Sequence, residues 1–429
     1  MPQPISHILI LGAGPAGLAS ALAISQSLPE IRVTVLELRS SSPSSALLGG
    51  AVHLTPLALR YLDRLGVGAR IRGLGVPVRA IDMVSLRTGS LLGRMWAGVD
   101  GVRVMRAGLV GVLRDAVVAR KGVEVRYGVR VFSIEEEEGG EGGERGVVRI
   151  GLDGGEVAVG DLLLGCDGLH SVVRRLYVES ERRETYSGKV VAYGFAKVEK
   201  PGQAGVVRND GRPAVEDTAL FTGRYGSIMV SFFEEQRERA YVGVVMSIKN
   251  EGAGVEGLDR DGWKTKGSDK EYVNSEVRRR FGRSAVAGLG AMLEKVDDWT
   301  LYPVYVLPPG GRWARGRVLL IGDAAHTIPP MGESMGVAIE DGVLIARVLA
   351  RHPERTVAQL SADYETLRRP VIDKMYKTTI RRWNMTLAED LGWLWTVLWD
   401  YISVVFFWIL ARRQDDYFAA DVAKLELPV

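Results

Sequence analysis

His7-Ile8-Leu9-Ile10-Leu11-Gly12-Ala13-Gly14-Pro15-Ala16-Gly17, closed downstream by Ile31-Arg32-Val33-Thr34-Val35-Leu36-Glu37, decides the fold class. The first apolar run reads as a buried strand, Leu18 to Leu28 as an alanine-rich helix, and Ile31 to Glu37 as a second, β-branched strand. Strand, glycine turn, helix, strand and terminal acid make a βαβ unit of the dinucleotide-binding kind. Gly12 permits the tight turn, Gly14 lets a pyrophosphate approach the backbone, and Gly17 lets helix and strand pack closely. The helix N-terminus then meets phosphate charge. Glu37 ends the second strand, where a carboxylate accepts hydrogen bonds from a ribose diol. This unit alone does not separate NAD from FAD.

Two later segments complete the pattern. Asp161-Leu-Leu-Leu-Gly165-Cys166-Asp167-Gly168 delivers an Asp-Gly pair to a turn, with Ser171 and Arg174 on the helix expected to follow. Taken alone it is equally an ordinary Asp-Gly turn. Gly316 to Gly322 returns to strand character and presents Asp323 ahead of Ala324-Ala325-His326, Pro329-Pro330-Met331-Gly332 and Ile339-Glu340-Asp341. His326 invites an acid-base reading, yet a histidine in so tight a small-residue turn is more often structural.

Between these segments, Leu57 to Leu65 reads as a helix and Gly188 to Ile248 alternates as an antiparallel sheet. Glu135 to Gly146 is an acidic, glycine-rich tip between strands near Val123–Val131 and Val147–Leu152, and Gly252 to Lys270 reads as a loop. Helices dominate after Val337. The expected fold is α/β: a discontinuous Rossmann-like domain with an inserted, mainly antiparallel β-sheet substrate domain and a helical C-terminus. Its expected spans are 1–185 and 301–385 for the dinucleotide-binding domain, 186–300 for the sheet and 386–429 for a hydrophobic C-terminal segment.

Bulk properties narrow the function classes. The 429 residues can bury a large core, and 46% hydrophobic with 25% charged content is that of an ordinary globular protein. The net charge of +3, without basic residues interleaved with aromatics, speaks against a nucleic-acid partner. One cysteine, Cys166, precludes an intramolecular disulfide framework and suits a reducing, cytoplasmic setting. Five scattered histidines offer no metal cluster, so no metal is expected. The apolar N-terminus lacks a basic n-region and is not read as an export signal.

In their order and spacing the three motifs, from about Ile8 to Arg369, resemble the single-component flavin-dependent aromatic hydroxylases, the para-hydroxybenzoate and salicylate hydroxylase type. The resemblance implies FAD as cofactor and NADPH as co-substrate. It places Gly12, Gly14, Gly17 and Glu37 at the ADP moiety, Asp167 at the pyrophosphate side, and Asp323 at the ribityl chain. Val104-Met-Arg106-Ala-Gly-Leu109 matches an element whose arginine contacts FAD, which assigns that contact to Arg106. Gly49-Gly50-Ala51-Val52-His53 matches the segment beneath the flavin, so Gly50 is a cofactor residue and His53 the candidate catalytic group. Gly336 sits where the ring-facing loop ends.

The chain departs from that family at three places. The usual P-x-x-G-Q-G-x-N reads here as Met331-Gly332-Glu333-Ser334-Met335-Gly336; Val191 to Phe195 lacks an aromatic-Arg-Gly element; and Ser40 to Leu48 holds no arginine. The implied reaction is hydroxylation or epoxidation of a hydrophobic aromatic or polycyclic secondary metabolite with NADPH and O2. Two alternatives stay open: a flavin oxidoreductase without oxygen transfer, and an FAD-containing scaffold for a non-redox cyclisation.

Leu391 to Leu410 is 20 residues long, enough apolar chain to span a bilayer, but Asp400 sits at its centre at a cost of about 2.5–3.5 kcal/mol. Thr396, Asp400 and Ser403 share one helical face; Trp395, Trp399, Ile402 and Phe406 share another. Residues 391–410 are therefore a docked or membrane-interfacial helix, with a spanning anchor as the alternative. Every assigned cofactor residue precedes Leu344, so the chain after Glu389 is expected to be dispensable for the cofactor site.

Overall fold

The computed structural model describes residues 5–40, 49–139, 146–248, 260–385, 393–410 and 421–428. A six-stranded sheet runs in the order Ala314–Arg315, Val318–Leu320, Leu162–Gly165, His7–Leu11, Arg32–Glu37, Val123–Tyr127. All neighbours pair parallel except the two-residue edge strand. Ile8, Leu9, Ile10, Val33, Val35, Leu163 and Leu164 are wholly buried, as strands covered on both faces must be. The helix Pro15–Ser27 covers one face and is itself buried along most of its length beneath the helix Ser334–Arg351.

A seven-stranded sheet runs Thr300–Val306, Thr185–Lys197, Arg239–Ser247, Gly226–Phe232, Thr218–Gly223, Ile81–Ser85, Leu91–Met95. It is antiparallel except where Thr218–Gly223 meets Ile81–Ser85. Two of its strands come from before residue 185 and one lies almost wholly after residue 300, so the sheet is not the contiguous span 186–300. Its strands alternate with period two. Val190, Ala192, Ile228, Val230, Val242 and Val244 pack with Val273, Val277 and Phe281 of the helix Lys270–Phe281. Tyr193, Phe195, Met229 and Tyr241 occupy the opposite face and cluster with Ala51 and Met105 of the dinucleotide-binding lobe.

Other expectations change. Val131–Glu137 and Val147–Leu152 form the hairpin beneath the acidic tip. Val123–Tyr127 does not belong to it: Val123 and Val125 find apolar partners beside Val33 and Val35, which draws this strand into the parallel sheet. Of the stretch read as a loop from Gly252, residues 260–268 form a helix, because Trp263 buries its ring against Tyr186 at 5.1 Å. The residues 249–259 ahead of it, like 386–392, lie outside the described chain.

The helix Trp393–Leu410 is docked by its polar face. The Asp400 carboxylate accepts from Arg87 Nε at 2.9 Å, Arg87 Nη2 at 2.7 Å and Ser85 Oγ at 2.9 Å, while Thr396 and Ser403 are buried beside it. The outward face keeps Leu394 (74% exposed), Trp395 (60%), Tyr401 (69%) and Val405 (57%) in the open. A spanning anchor does not fit, since an ion pair ties the middle of this helix to the protein. No described helix is long and apolar enough to cross a membrane.

The chain after Glu389 makes contacts with the dinucleotide-binding lobe that its sequence does not announce. Asp421 closes a bidentate pair with Arg64 at 2.5 and 2.6 Å, and Val422 N donates to Tyr61 Oη at 2.9 Å. Arg347 donates to the carbonyls of Val422 and Leu425, and the His352 ring bonds the Pro428 carbonyl at 2.7 Å. Residues 421–428 thus strap the helices Pro56–Arg64 and Ser334–Arg351.

Candidate active site

Three strand ends of the parallel sheet converge on the glycine turn. Gly12 has φ +107°, and a Cβ there would lie 2.5 Å from the Cys166 carbonyl oxygen, so the turn nests on the end of Leu162–Gly165. A Cβ on Gly17 would stand 1.9 Å from Gly12 O, the close helix-to-strand approach that its sequence position predicts. Gly14 is different: a Cβ there meets nothing within 4 Å. It is the N-cap of a helix that has no side-chain cap and carries Pro at its first position, leaving the amide terminus open toward an anion. The Glu37 carboxylate braces this loop, accepting from Ala13 N at 2.8 Å and Arg39 N at 2.9 Å. Each of its oxygens retains a lone pair for a ribose hydroxyl.

The second and third motifs each present a carboxylate. Asp167 Oδ2 accepts from Val172 N at 2.6 Å and Val173 N at 3.1 Å, while the buried Oδ1 has no partner. Burial raises the pKa of Asp167, against the hydrogen bonds that lower it. Asp323 opens the short helix Asp323–His326; burial raises its pKa too, with His326 and Arg106 partly offsetting that rise. An orphaned acceptor, a carboxylate brought under the influence of Arg106 and an open glycine loop fit a cofactor that carries both phosphate and hydroxyl groups.

Arg106 starts the helix Arg106–Val118, and its amide donates to Gly50 O at 3.2 Å. A Cβ on Gly50 would sit 3.0 Å from a Tyr241 ring carbon and 3.4 Å from Tyr193, so Gly50 allows the lobe to meet the seven-stranded sheet. Tyr193 Oη accepts from Gly49 N at 3.3 Å, and the Tyr193 ring lies 5.9 Å from Tyr241 and 6.2 Å from Tyr302. These aromatics were not singled out from sequence, although the alternation Tyr193, Phe195 along one strand face was a usable signal.

His53 faces the same sheet. It is buried, stacks on Trp96 at 4.9 Å with 13° between planes, and its Nδ1 has no partner. Burial first, and Arg103 second, hold its pKa well below the usual histidine value, so the ring is neutral near pH 7. Gly336 lies in the first turn of Ser334–Arg351, where a Cβ would be 3.3 Å from Ala58 Cβ; close helix packing accounts for the glycine. His326 is structural: its Nε2 lies 2.8 Å from Asp341 Oδ2, inside a buried network with Arg368 and Glu340. Cys166 is buried and its thiol pKa is pushed upward by burial, so it is inert. Among the described residues no group of acids, histidines or cysteines could hold a metal ion.

Residues 6–379 match the family described as FAD binding domain. Salicylate hydroxylase of Pseudomonas putida is 27% identical over 446 residues, covering 99% of this chain and 95% of that protein. A phenazine 1,6-dicarboxylic acid hydroxylase of Lysobacter antibioticus is 30% identical, covering 85% and 87%. Among solved structures, HpxO of Klebsiella pneumoniae in complex with FAD and uric acid superposes with a TM-score of 0.73 at 22% identity, covering 93% of both chains. The chain therefore belongs to the FAD-binding-domain family. Within it, this protein is an FAD-dependent monooxygenase of the aromatic hydroxylase group.

Proposed function

We propose that the protein uses NADPH and O2 to oxygenate a small, hydrophobic aromatic or polycyclic substrate held between Gly50–His53 and the aromatic face of the seven-stranded sheet, in a biosynthetic tailoring step. The observation that carries this reading is the junction itself. The lobe bearing the cofactor motifs meets the sheet at a surface made of Tyr193, Phe195, Phe233, Tyr241 and Met229, apolar and largely closed to water.

FAD, when bound, supplies the electron transfer and the activation of O2. The chain's own residues do the rest. Gly14 and the helix N-terminus would receive the pyrophosphate, with Asp167 on that side, and Glu37 and Asp323 would accept from the ribose and ribityl hydroxyls. Arg106 sets a positive charge beside Asp323, and its amide ties the start of its helix to Gly50 O. The ring-lined sheet orients a planar substrate by stacking and excludes water. His53, neutral and with one unbonded ring nitrogen, can hold or pass a proton at Nδ1.

The test is consumption of NADPH and O2 by flavin-loaded protein against a panel of aromatic compounds, with products identified by mass. Oxygenation means a product heavier by one oxygen atom, with label from 18O2. NADPH oxidation without oxygen in any product would favour the oxidoreductase alternative. Conversion of a substrate with neither reductant nor O2 would favour the cyclisation scaffold.

A further inference from the structure

Arginine burial singles out one residue that neither the motifs nor the resemblance point to. Five arginines are buried among the described residues: Arg103, Arg174, Arg208, Arg280 and Arg368. Four of them have a carboxylate partner: Arg174 with Glu184 at 3.1 Å, Arg208 with Asp82 at 3.4 Å, Arg280 with Glu276 at 3.0 Å and Arg368 with Asp341 at 2.5 Å. Arg103, 3% exposed, has none among the described residues. Its Nη2 lies 3.1 Å from Met229 Sδ, a weak acceptor, and its Nε is unbonded.

Location makes this more than a packing oddity. On Gly101–Met105, Val102 and Val104 point into the core of the dinucleotide-binding lobe, which turns Arg103 and Met105 the other way, toward the sheet. Arg103 pairs across the strand with His53 and reaches Met229, and Tyr241 lies close enough to favour its charge. It thus sits three residues before Arg106, on the substrate side of the junction. Burial lowers its pKa to about 10, so the guanidinium still carries its charge at neutral pH. A buried, charged guanidinium without an anion is costly. Such a group is retained where a ligand brings the missing charge.

We propose that Arg103 is a substrate-specificity residue that binds an anionic oxygen, a carboxylate or ionised enol, on the aromatic substrate, with His53 beside it. This rests on the function proposed above and refines it: the substrate is aromatic and apolar over its ring but carries one negative charge at the edge that faces Arg103. The planar fork presents its nitrogens to two carboxylate oxygens at once, which an amide of the same shape cannot match.

The experiment uses flavin-loaded protein with salicylate and 3-hydroxybenzoate as probes, each against its amide, salicylamide and 3-hydroxybenzamide. Binding is read from the flavin absorbance change and from tryptophan quenching, since Trp96 stacks on His53. Wild type is expected to bind at least one acid tenfold or more tightly than its amide. Arg103→Gln is expected to abolish that preference with flavin content retained, and Arg103→Lys to recover part of it. Wild type that binds neither acid better than its amide, including no binding of any of the four, overturns the assignment. So does a preference that survives in Arg103→Gln. Protein that takes up no flavin would overturn the function reading and this assignment together, which separates the two kinds of failure. Should Arg103→Gln not fold, a preference reduced in Arg103→Lys relative to wild type supports the assignment through the lost fork, and an unchanged preference there opposes it.

Discussion

Asp341→Ala is expected to destabilise the folded protein by about 3–5 kcal/mol, the range for removing one partner of a buried charge pair. Asp341 is fully buried on the helix Ser334–Arg351 and serves three donors: Gly322 N at 2.9 Å, the His326 ring at 2.8 Å and Arg368 Nε at 2.5 Å. It therefore ties the turn that presents Asp323 to the helix packed over the glycine-loop helix. Arg368, also fully buried, would keep Glu340 at 2.7 Å as its one carboxylate among the described residues, beside the bond from its Nη2 to the Val337 carbonyl at 3.1 Å. Burial alone would raise the Asp341 pKa, but the Arg368 charge and His326 reverse this, and it lies below the ordinary carboxylate value. Because the folded-state pKa is depressed, the stabilisation is present above the unfolded carboxylate pKa and is lost as pH falls through the folded one. Urea unfolding at neutral pH measures the loss. A change below 1 kcal/mol would show that the network does not hold the site together.

Gly17→Ala and Gly14→Ala are expected to fail in opposite ways, although both remove a glycine from one motif. The added carbon at position 17 overlaps the Gly12 carbonyl, 1.9 Å away, and backbone cannot yield as a side chain can. Helix Pro15–Ser27 must shift off its strand, costing about 1–3 kcal/mol of stability as overpacking does, with the cofactor loop displaced as well. At position 14 the carbon meets no protein atom within 4 Å. Gly14→Ala should unfold like wild type yet bind FAD at least tenfold more weakly, about 1.4 kcal/mol, because the carbon occupies the approach to the phosphates. Thermal melting without flavin, then titration with it, separates the two. Equal melting losses in both variants would mean that Gly14 is structural and not a ligand position.

The parallel core was legible because its signals are local. Apolar runs, a glycine turn and a β-branched strand ending on Glu37 determine their own conformations, and the hydrogen bond from Ala13 to Glu37 follows from that register. What was not legible depends on residues far apart in the chain. Nothing near Ile81–Ser85 announces that it adds to a sheet through Thr218–Gly223. Arg103 reads as a strand arginine until Met229 and Tyr241 close over it without a carboxylate. Asp400 reads as a flaw in an apolar stretch, whereas Arg87 and Ser85 make it the point of attachment. Glycines show the same limit: Gly336 carries a family position in the sequence, but its environment is the side of another helix.

The most direct test of the account is an FAD titration of wild-type protein beside Asp323→Ala, with the secondary structure of both checked by circular dichroism. Wild type is expected to take up one FAD per chain. Asp323→Ala is expected to keep its fold and to lose about 1.5–3 kcal/mol of FAD binding, tenfold or more in affinity, from a missing charge-assisted hydrogen bond. Wild type that retains no flavin from an excess, or a folded Asp323→Ala that binds FAD as tightly as wild type, would contradict it.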